Sequence, residues 1–148
     1  MSKIRHPLAH SSLLCYRYFC MSQKTVLIIE DEVDAADMFA EMMRVSGYRV
    51  LKTSSSTPAL TMMSTEKPDV VILDIMMPEI SGLDILRQMR RNPELAGIPV
   101  VVVSAKGMPA DIKLGMEAGA FIYLTKPVGF VELKEAIERA LGGSSTLL

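Results

Sequence analysis

Residues 70–78 of the chain read VVILDIMMP. The first four residues of this stretch are apolar on both faces of a strand, which is typical of a strand buried on both sides of a parallel sheet. Similar short runs recur along the chain. We predict strands at 26–29, 70–73 and 100–103, and weaker strand candidates at 49–52 and 121–124.

Helical patterns fill the gaps between these runs. After the first run, apolar residues recur with helical spacing, and we place one helix face on Ala35, Met38, Phe39, Met42 and Met43. Further helices are predicted from Ser56 or Thr57, over 81–91, over 109–118 and from 130 to 141. Strict alternation of strands and helices predicts an α/β fold, with an open, doubly wound parallel sheet and right-handed crossovers.

Ligands of such sheets bind beyond the carboxyl ends of the strands. The predicted ends hold three acids, a hydroxyl and a lysine, namely Glu30, Asp31, Asp74, Ser104 and Lys126. Three carboxylates in one pocket require a cation or raised pKa values. An all-oxygen acidic site suits Mg²⁺, with Mn²⁺ as an alternative. A carboxylate beside such an ion can attack phosphorus and form an acyl phosphate.

Composition limits the remaining possibilities. The chain has 148 residues, of which 49% are hydrophobic, and its formal net charge is −1. Two cysteines exclude a disulfide scaffold, and the apolar runs are far shorter than the roughly 20 residues needed to span a bilayer. A sequence pI near 6.1 and the absence of a basic stripe argue against direct binding to nucleic acid.

The charge is unevenly distributed. Residues 1–29 contain four basic residues and no acid, whereas the following residues hold 12 basic and 17 acidic side chains. Residues 1–23 show no helical or alternating period, and we expect an N-terminal extension without a fixed structure. A secretory signal and a zinc site on His6, His10, Cys15 and Cys20 are weaker readings, because no small-residue cleavage site follows and the spacing matches no common zinc module. We expect one domain over 24–142 and a frayed tail over 143–148.

Four motifs at the predicted strand ends resemble those of the receiver domain of two-component response regulators. They read VLIIEDE (26–32), VILDIMMP (71–78), VSA (103–105) and YLTKP (123–127), and the resemblance spans about residues 24–142. The resemblance implies a flavodoxin-like sheet of five strands in the order 2-1-3-4-5 with five helices.

The resemblance also implies roles for the residues at the strand ends. Asp74 corresponds to the phospho-acceptor, and Glu30 and Asp31 to the acidic pair that holds Mg²⁺ with it. The backbone carbonyl of Met76 would be a further metal ligand. Ser104 and Lys126 would contact the phosphoryl group, and the family's lysine is usually followed by a cis proline, here Pro127. Tyr123 corresponds to the aromatic residue that swings inward when the hydroxyl residue moves.

Some positions depart from the commoner family pattern. Glu30 replaces an aspartate, and we expect its longer side chain to reach the metal directly or through a water molecule. Ser104 replaces a threonine. Met76 and Lys106 occupy the two variable positions that tune the phosphoryl lifetime in this family. An apolar Met76 would hinder the positioning of an attacking water, so we expect a lifetime of minutes or more.

The resemblance implies a regulatory phospho-acceptor rather than an enzyme, located in the cytoplasm. Its expected partners are a sensor histidine kinase or a histidine phosphotransfer protein, and a downstream protein that contacts the face formed by the fourth helix, fifth strand and fifth helix. That face would include Ile112, Lys113, Met116, Tyr123 and residues on 131–139. A homodimer that depends on phosphorylation is a further candidate interaction, and we expect no contact with nucleic acid or membrane.

Several alternatives stay open from the sequence. Seven residues after Leu141 favour a stand-alone receiver, and the alternatives are a receiver cut from a larger hybrid kinase or regulator and a pseudo-receiver that is not phosphorylated. A phosphatase of the haloacid-dehalogenase type would need a second aspartate where Met76 stands. A flavin or dinucleotide site would need a phosphate-binding loop where the acidic residues 30–32 stand.

Overall fold

A computed structural model describes residues 23–142 of the chain. Five strands alternate with five helices along it. The strands are β1 (Thr25–Ile29), β2 (Arg49–Thr53), β3 (Val70–Leu73), β4 (Val100–Ser104) and β5 (Ile122–Thr125). The helices are α1 (Val33–Val45), α2 (Ser56–Glu66), α3 (Gly82–Arg91), α4 (Pro109–Glu117) and α5 (Phe130–Ala140). The predictions for residues 1–22 and 143–148, including the hypothesis of a zinc site, lie outside the described residues.

All five strands are parallel and stand in the order β2-β1-β3-β4-β5, which confirms the predicted doubly wound sheet. Every residue of β1, β3 and β4 is buried. Successive side chains of a strand point to opposite faces, so one strand supplies both layers of the core. In β1, Leu27 and Ile29 pack on one face, with residues of α2 and α3, and Val26 and Ile28 pack on the other, with residues of α1 and α5.

Helix ends follow local chemistry. The Ser81 side chain accepts a hydrogen bond from the backbone N–H of Leu83 and so caps α3 at its amino end. Pro109 opens α4, where its missing N–H costs no helical hydrogen bond. Gly47 adopts a φ of 94° just after α1, a backbone conformation that glycine adopts with little strain.

The predicted apolar face of α1 is correct except at Met38, since Phe39 and Met43 are buried and Ala35 and Met42 are partly buried against the same core. The buried residues are Ala36, Phe39, Ala40 and Met43, whereas Met38 is 44% exposed. Both sets of residues have helical spacing, so the pattern alone does not choose between them. Two other apolar residues are also exposed. Phe121 was predicted to begin the last strand but precedes β5, and Phe130 is the first residue of α5.

Candidate functional site

The carboxyl ends of β1 and β3 bring two acidic residues together. These strands are parallel neighbours, and Ile29 lies opposite Leu73 in their register. The backbone N–H of Asp74 donates to the Ile29 carbonyl oxygen at 3.0 Å, so pairing extends one residue beyond the strand. Glu30 and Asp74 therefore emerge side by side at the same edge of the sheet.

A third acid and a lysine complete this cluster. Carboxylate oxygens of Glu30, Asp31 and Asp74 all lie within 4.8 Å of one another. Lys126 Nζ lies 2.9 Å from Glu30 Oε2 and 3.2 Å from Asp74 Oδ2. Glu30 and Asp74 are only 2% and 5% exposed, so these contacts are largely shielded from water.

Burial shifts the protonation of this cluster. It is the largest cause that raises the pKa of Glu30 to about 7, and the neighbouring Asp74 carboxylate raises it further, while Lys126 opposes both. Burial alone would lower the pKa of Lys126, but its contacts with Glu30 and Asp74 outweigh burial and raise that pKa. Lys126 therefore stays charged beside the two carboxylates.

The donor set fits a divalent cation. Three carboxylates and one ammonium group leave two negative charges when all are ionised, which one divalent ion would neutralise. The set consists of oxygen ligands with no thiol or imidazole, and hard cations such as Mg²⁺ prefer such ligands. Glu30, Asp31 and Asp74 would hold the ion. The role predicted for the Met76 carbonyl stays a prediction.

The loop after β3 holds Asp74 in place through backbone groups. The N–H of Met76 donates to Asp74 Oδ1 at 2.9 Å. Gly82, at the start of α3, approaches so closely that a Cβ there would lie 2.4 Å from the Asp74 carbonyl oxygen. Sequence reasoning missed Gly82, since a contact between separate elements leaves no periodic signal.

Ser104 ends β4, as predicted, and is completely buried. Its Oγ accepts a hydrogen bond from the N–H of Lys106 at 3.1 Å. The backbone N–H of Lys126 donates to the Ser104 carbonyl oxygen at 2.8 Å, which ties the ends of β4 and β5 together. The peptide bond between Lys126 and Pro127 is cis, as the resemblance implies.

Tyr123 lies on β5 beside this edge. Its hydroxyl donates to the backbone carbonyl of Lys106, and burial raises the pKa of the phenol. The ring covers Gly115 of α4, where a Cβ would lie 2.7 Å from the ring. Sequence reasoning missed Gly115, although a glycine inside a helix is a known sign of close packing. A cavity of about 570 Å³ opens here and is lined partly by Asp31, Met76 and Tyr123.

The structure thus brings Glu30, Asp31, Asp74 and Lys126 into one cluster, with Ser104 on the neighbouring strand end. Met76 is 49% exposed beside the cluster. Within residues 23–142, no helix is both long and apolar enough to cross a bilayer.

Comparisons with known proteins agree with this arrangement. Residues 26–138 match the response regulator receiver domain. The polar-differentiation response regulator DivK of Brucella ovis is 33% identical over 119 residues, which cover 80% of this chain and 97% of that protein.

Solved structures of receiver domains are also similar to this chain. The response regulator receiver domain protein of Clostridium thermocellum is 33% identical, with a TM-score of 0.74 and coverage of 84% of this chain and 99% of its own. The signal receiver domain of a histidine kinase from Syntrophus aciditrophicus is 29% identical, with a TM-score of 0.75 and coverage of 84% and 95%. With a family match over most of its length and the same five-stranded fold, this chain belongs to the response regulator receiver domains of two-component systems.

Proposed function

We propose that this protein accepts a phosphoryl group from a phosphohistidine onto Asp74, with Mg²⁺, and thereby switches a protein-binding surface. The observation that carries the proposal is the position of Asp74. Its buried carboxylate contacts Lys126 and lies within 4.8 Å of carboxylate oxygens of Glu30 and Asp31. Such a cluster suits phosphoryl transfer, because that chemistry depends on positioning and charge neutralisation.

In the proposed step, a carboxylate oxygen of Asp74 forms a bond to phosphorus while the phosphorus–nitrogen bond of the donor breaks, and the imidazole leaves. The Asp74 side chain is already oriented by the N–H of Met76. Mg²⁺, when bound, supplies positive charge to the phosphoryl oxygens. The Lys126 ammonium adds a second positive charge, and the Ser104 hydroxyl donates a hydrogen bond to the same oxygens.

The proposed output is a change at the face formed by α4, β5 and α5. Movement of Ser104 toward the phosphoryl group would break its contact with the N–H of Lys106. That residue's carbonyl is also the hydrogen-bond partner of Tyr123, so the two side chains share one loop. A two-state element biased by a local charge change is the usual form of such a switch.

The proposed phosphodonor is a sensor histidine kinase or a histidine phosphotransfer protein, in the cytoplasm. A receiver that acts alone through protein contact, with or without homodimerisation, is supported by the DivK match, which covers 97% of that protein. A receiver attached to a larger kinase is the second candidate, supported by the match to a histidine kinase receiver domain.

The test is incubation with acetyl phosphate and Mg²⁺, followed by detection of an acyl phosphate that hydroxylamine removes. We expect one phosphoryl group per chain, absent in Asp74→Asn. Asp84→Asn is the matched control, because Asp84 is an exposed acid that pairs only with Arg87 among the described side chains. Absence of labelling in the wild-type protein would count against the proposal and favour a pseudo-receiver.

A further inference from the structure

An apolar groove runs along the outer side of α1. It has a volume of about 480 Å³ and is lined by Met38, Glu41, Met42, Val45 and Phe130. Met38, Val45 and Phe130 are 44%, 69% and 38% exposed. Met38 and Val45 lie outside the buried face of α1, whereas Met42 is half-buried and also packs against the core. An exposed apolar patch of this kind is a candidate binding surface.

The groove continues toward the candidate phosphoryl site. A second depression, of about 530 Å³, shares Met38 with the first and is also lined by Asp34, Pro127 and Val128. Together the two form a strip along α1, which we call the α1 groove. Glu32, Asp34 and Glu41 add negative charge to its lining, and Lys126 adds one positive charge.

The chain enters the described domain beside one end of this groove. Gln23 Nε2 donates to the Gly47 carbonyl oxygen at 3.4 Å, and the N–H of Arg49 donates to the carbonyl of Lys24 at 2.9 Å. Gly47 lies two residues beyond the end of α1 at Val45. Gln23, the first described residue, therefore lies near the Val45 end of the groove.

The segment before Gln23 is long enough to reach along the α1 groove. Eleven residues of α-helix, the separation of Asp34 and Val45, span about 17 Å. Five extended residues reach about 17 Å. The 22 residues before Gln23 can therefore cover the whole groove without strain.

The chemistry of that segment complements the groove. Residues 13–20 read LLCYRYFC, and residues 1–22 contain three basic residues and no acid. We propose that residues 13–20 bind in the α1 groove of the same chain, with aromatic and leucine side chains on Met38, Met42 and Val45 and with basic charge toward Glu41. Binding in an extended form requires no helical period, in agreement with the sequence.

Both cysteines of the chain, Cys15 and Cys20, lie in this segment, so thiol reactivity reports its position. The experiment measures the rate at which a thiol reagent modifies the full chain under native conditions, with a denatured sample to count the free thiols. A short tether gives an effective concentration of about 1 mM, so a segment of ~0.1 mM intrinsic affinity would be about nine-tenths bound and react about tenfold more slowly than a free one.

Substitutions inside and outside the groove test whether slow thiol modification depends on the groove. Val45→Lys and Met38→Lys place positive charge in the groove, which disfavours both apolar contact and a basic segment, and we expect each to speed thiol modification about tenfold over the wild-type rate. Val131→Lys is the matched control, because Val131 is 65% exposed but does not line the groove, and it should leave the rate unchanged.

The results distinguish residues 13–20 from a second copy of the chain as the segment that occupies the groove. Equal rates in the wild-type chain and both groove variants would overturn the proposal. Protection that disappears on dilution would also overturn it, because it would assign the groove to a second copy of the chain. Protection that is independent of concentration and lost in both groove variants is the expected result. Phosphorylation plays no part in this test, so its outcome is independent of the proposed function.

Discussion

The position of Met76 bears on the lifetime of a phosphoryl group on Asp74. It follows Asp74 by two residues, is 49% exposed and lines the same cavity as Lys106. A thioether cannot orient an attacking water molecule as an amide can, because it is at most a weak acceptor and has no donor.

We expect the phosphorylated wild-type protein to have a half-life of minutes or more. Met76→Asn should shorten that half-life several-fold. The measurement follows loss of the labelled acyl phosphate over time in the presence of Mg²⁺. Met116→Asn is the control, since Met116 is 44% exposed on α4 and does not line this cavity. A wild-type half-life of seconds, or the same half-life in Met76→Asn, would contradict the prediction.

Gly115 is the residue that allows the Tyr123 ring to lie against α4. Its Cβ would meet the ring at 2.7 Å, which is too close for any side-chain carbon. Gly115→Ala should therefore push the ring outward into water. Because burial raises the pKa of Tyr123, exposure should lower that pKa toward its ordinary value of about 10.

The measurement is an NMR titration of ring-labelled tyrosine, with the Tyr123 signal assigned from Tyr123→Phe. Gly97→Ala is the matched control, because nothing lies within 4 Å of a Cβ there. A Tyr123 pKa in Gly115→Ala that equals the wild-type value would show that the ring finds room without leaving α4.

At the scale of elements, the strands were the best predicted. The strand at 70–73 has the predicted bounds, because residues buried on both faces give an uninterrupted apolar run. The exposure of Met38 on α1 was not predictable in the same way. That helix carries apolar residues around most of its circumference, and only the packed sheet determines which of them are buried.

Arg90 joins α3 to two loops, and this role had no signal in the sequence. Its guanidinium donates to the Gly119 carbonyl at 2.7 and 3.1 Å, to the Ala96 carbonyl at 2.8 Å and to the Ile98 carbonyl at 2.9 Å. These contacts fix the segments that precede β4 and β5. Burial lowers the pKa of Arg90 from its ordinary value, but an arginine in a protein remains charged.

We expect Arg90→Met to reduce the free energy of unfolding by about 2–3 kcal/mol, because hydrogen bonds from a charged group are lost and three carbonyl groups lose their partner. Arg87→Met on the same helix is the control, since Arg87 makes one exposed ion pair with Asp84, and its cost should be below about 0.5 kcal/mol. Urea denaturation of both variants checks the difference. Equal losses would mean that the Arg90 contacts contribute little.

At the scale of the whole molecule, the site could be predicted because the topology creates it. Glu30 and Asp74 are 44 residues apart, yet parallel pairing of β1 with β3 places them at one edge of the sheet. What the sequence did not show is the set of close contacts between elements, at Gly82, Gly115 and Arg90. Those contacts depend on distances between packed surfaces rather than on any period along the chain.

Because the proposed ligands come together only in the folded chain, Mg²⁺ binding should be linked to global stability. A ligand that binds only the native state, at about 100 times its Kd, raises the free energy of unfolding by ~2.7 kcal/mol. We expect urea denaturation of the wild-type protein to show a rise of this size with saturating Mg²⁺. Asp31→Asn should lose most of it, because one carboxylate ligand becomes a neutral amide. Asp37→Asn, an exposed acid on α1 that pairs with Lys52, should keep it. An equal rise in both variants would place the ion elsewhere on the molecule, and no rise in the wild-type protein would mean that the acidic cluster does not hold the ion.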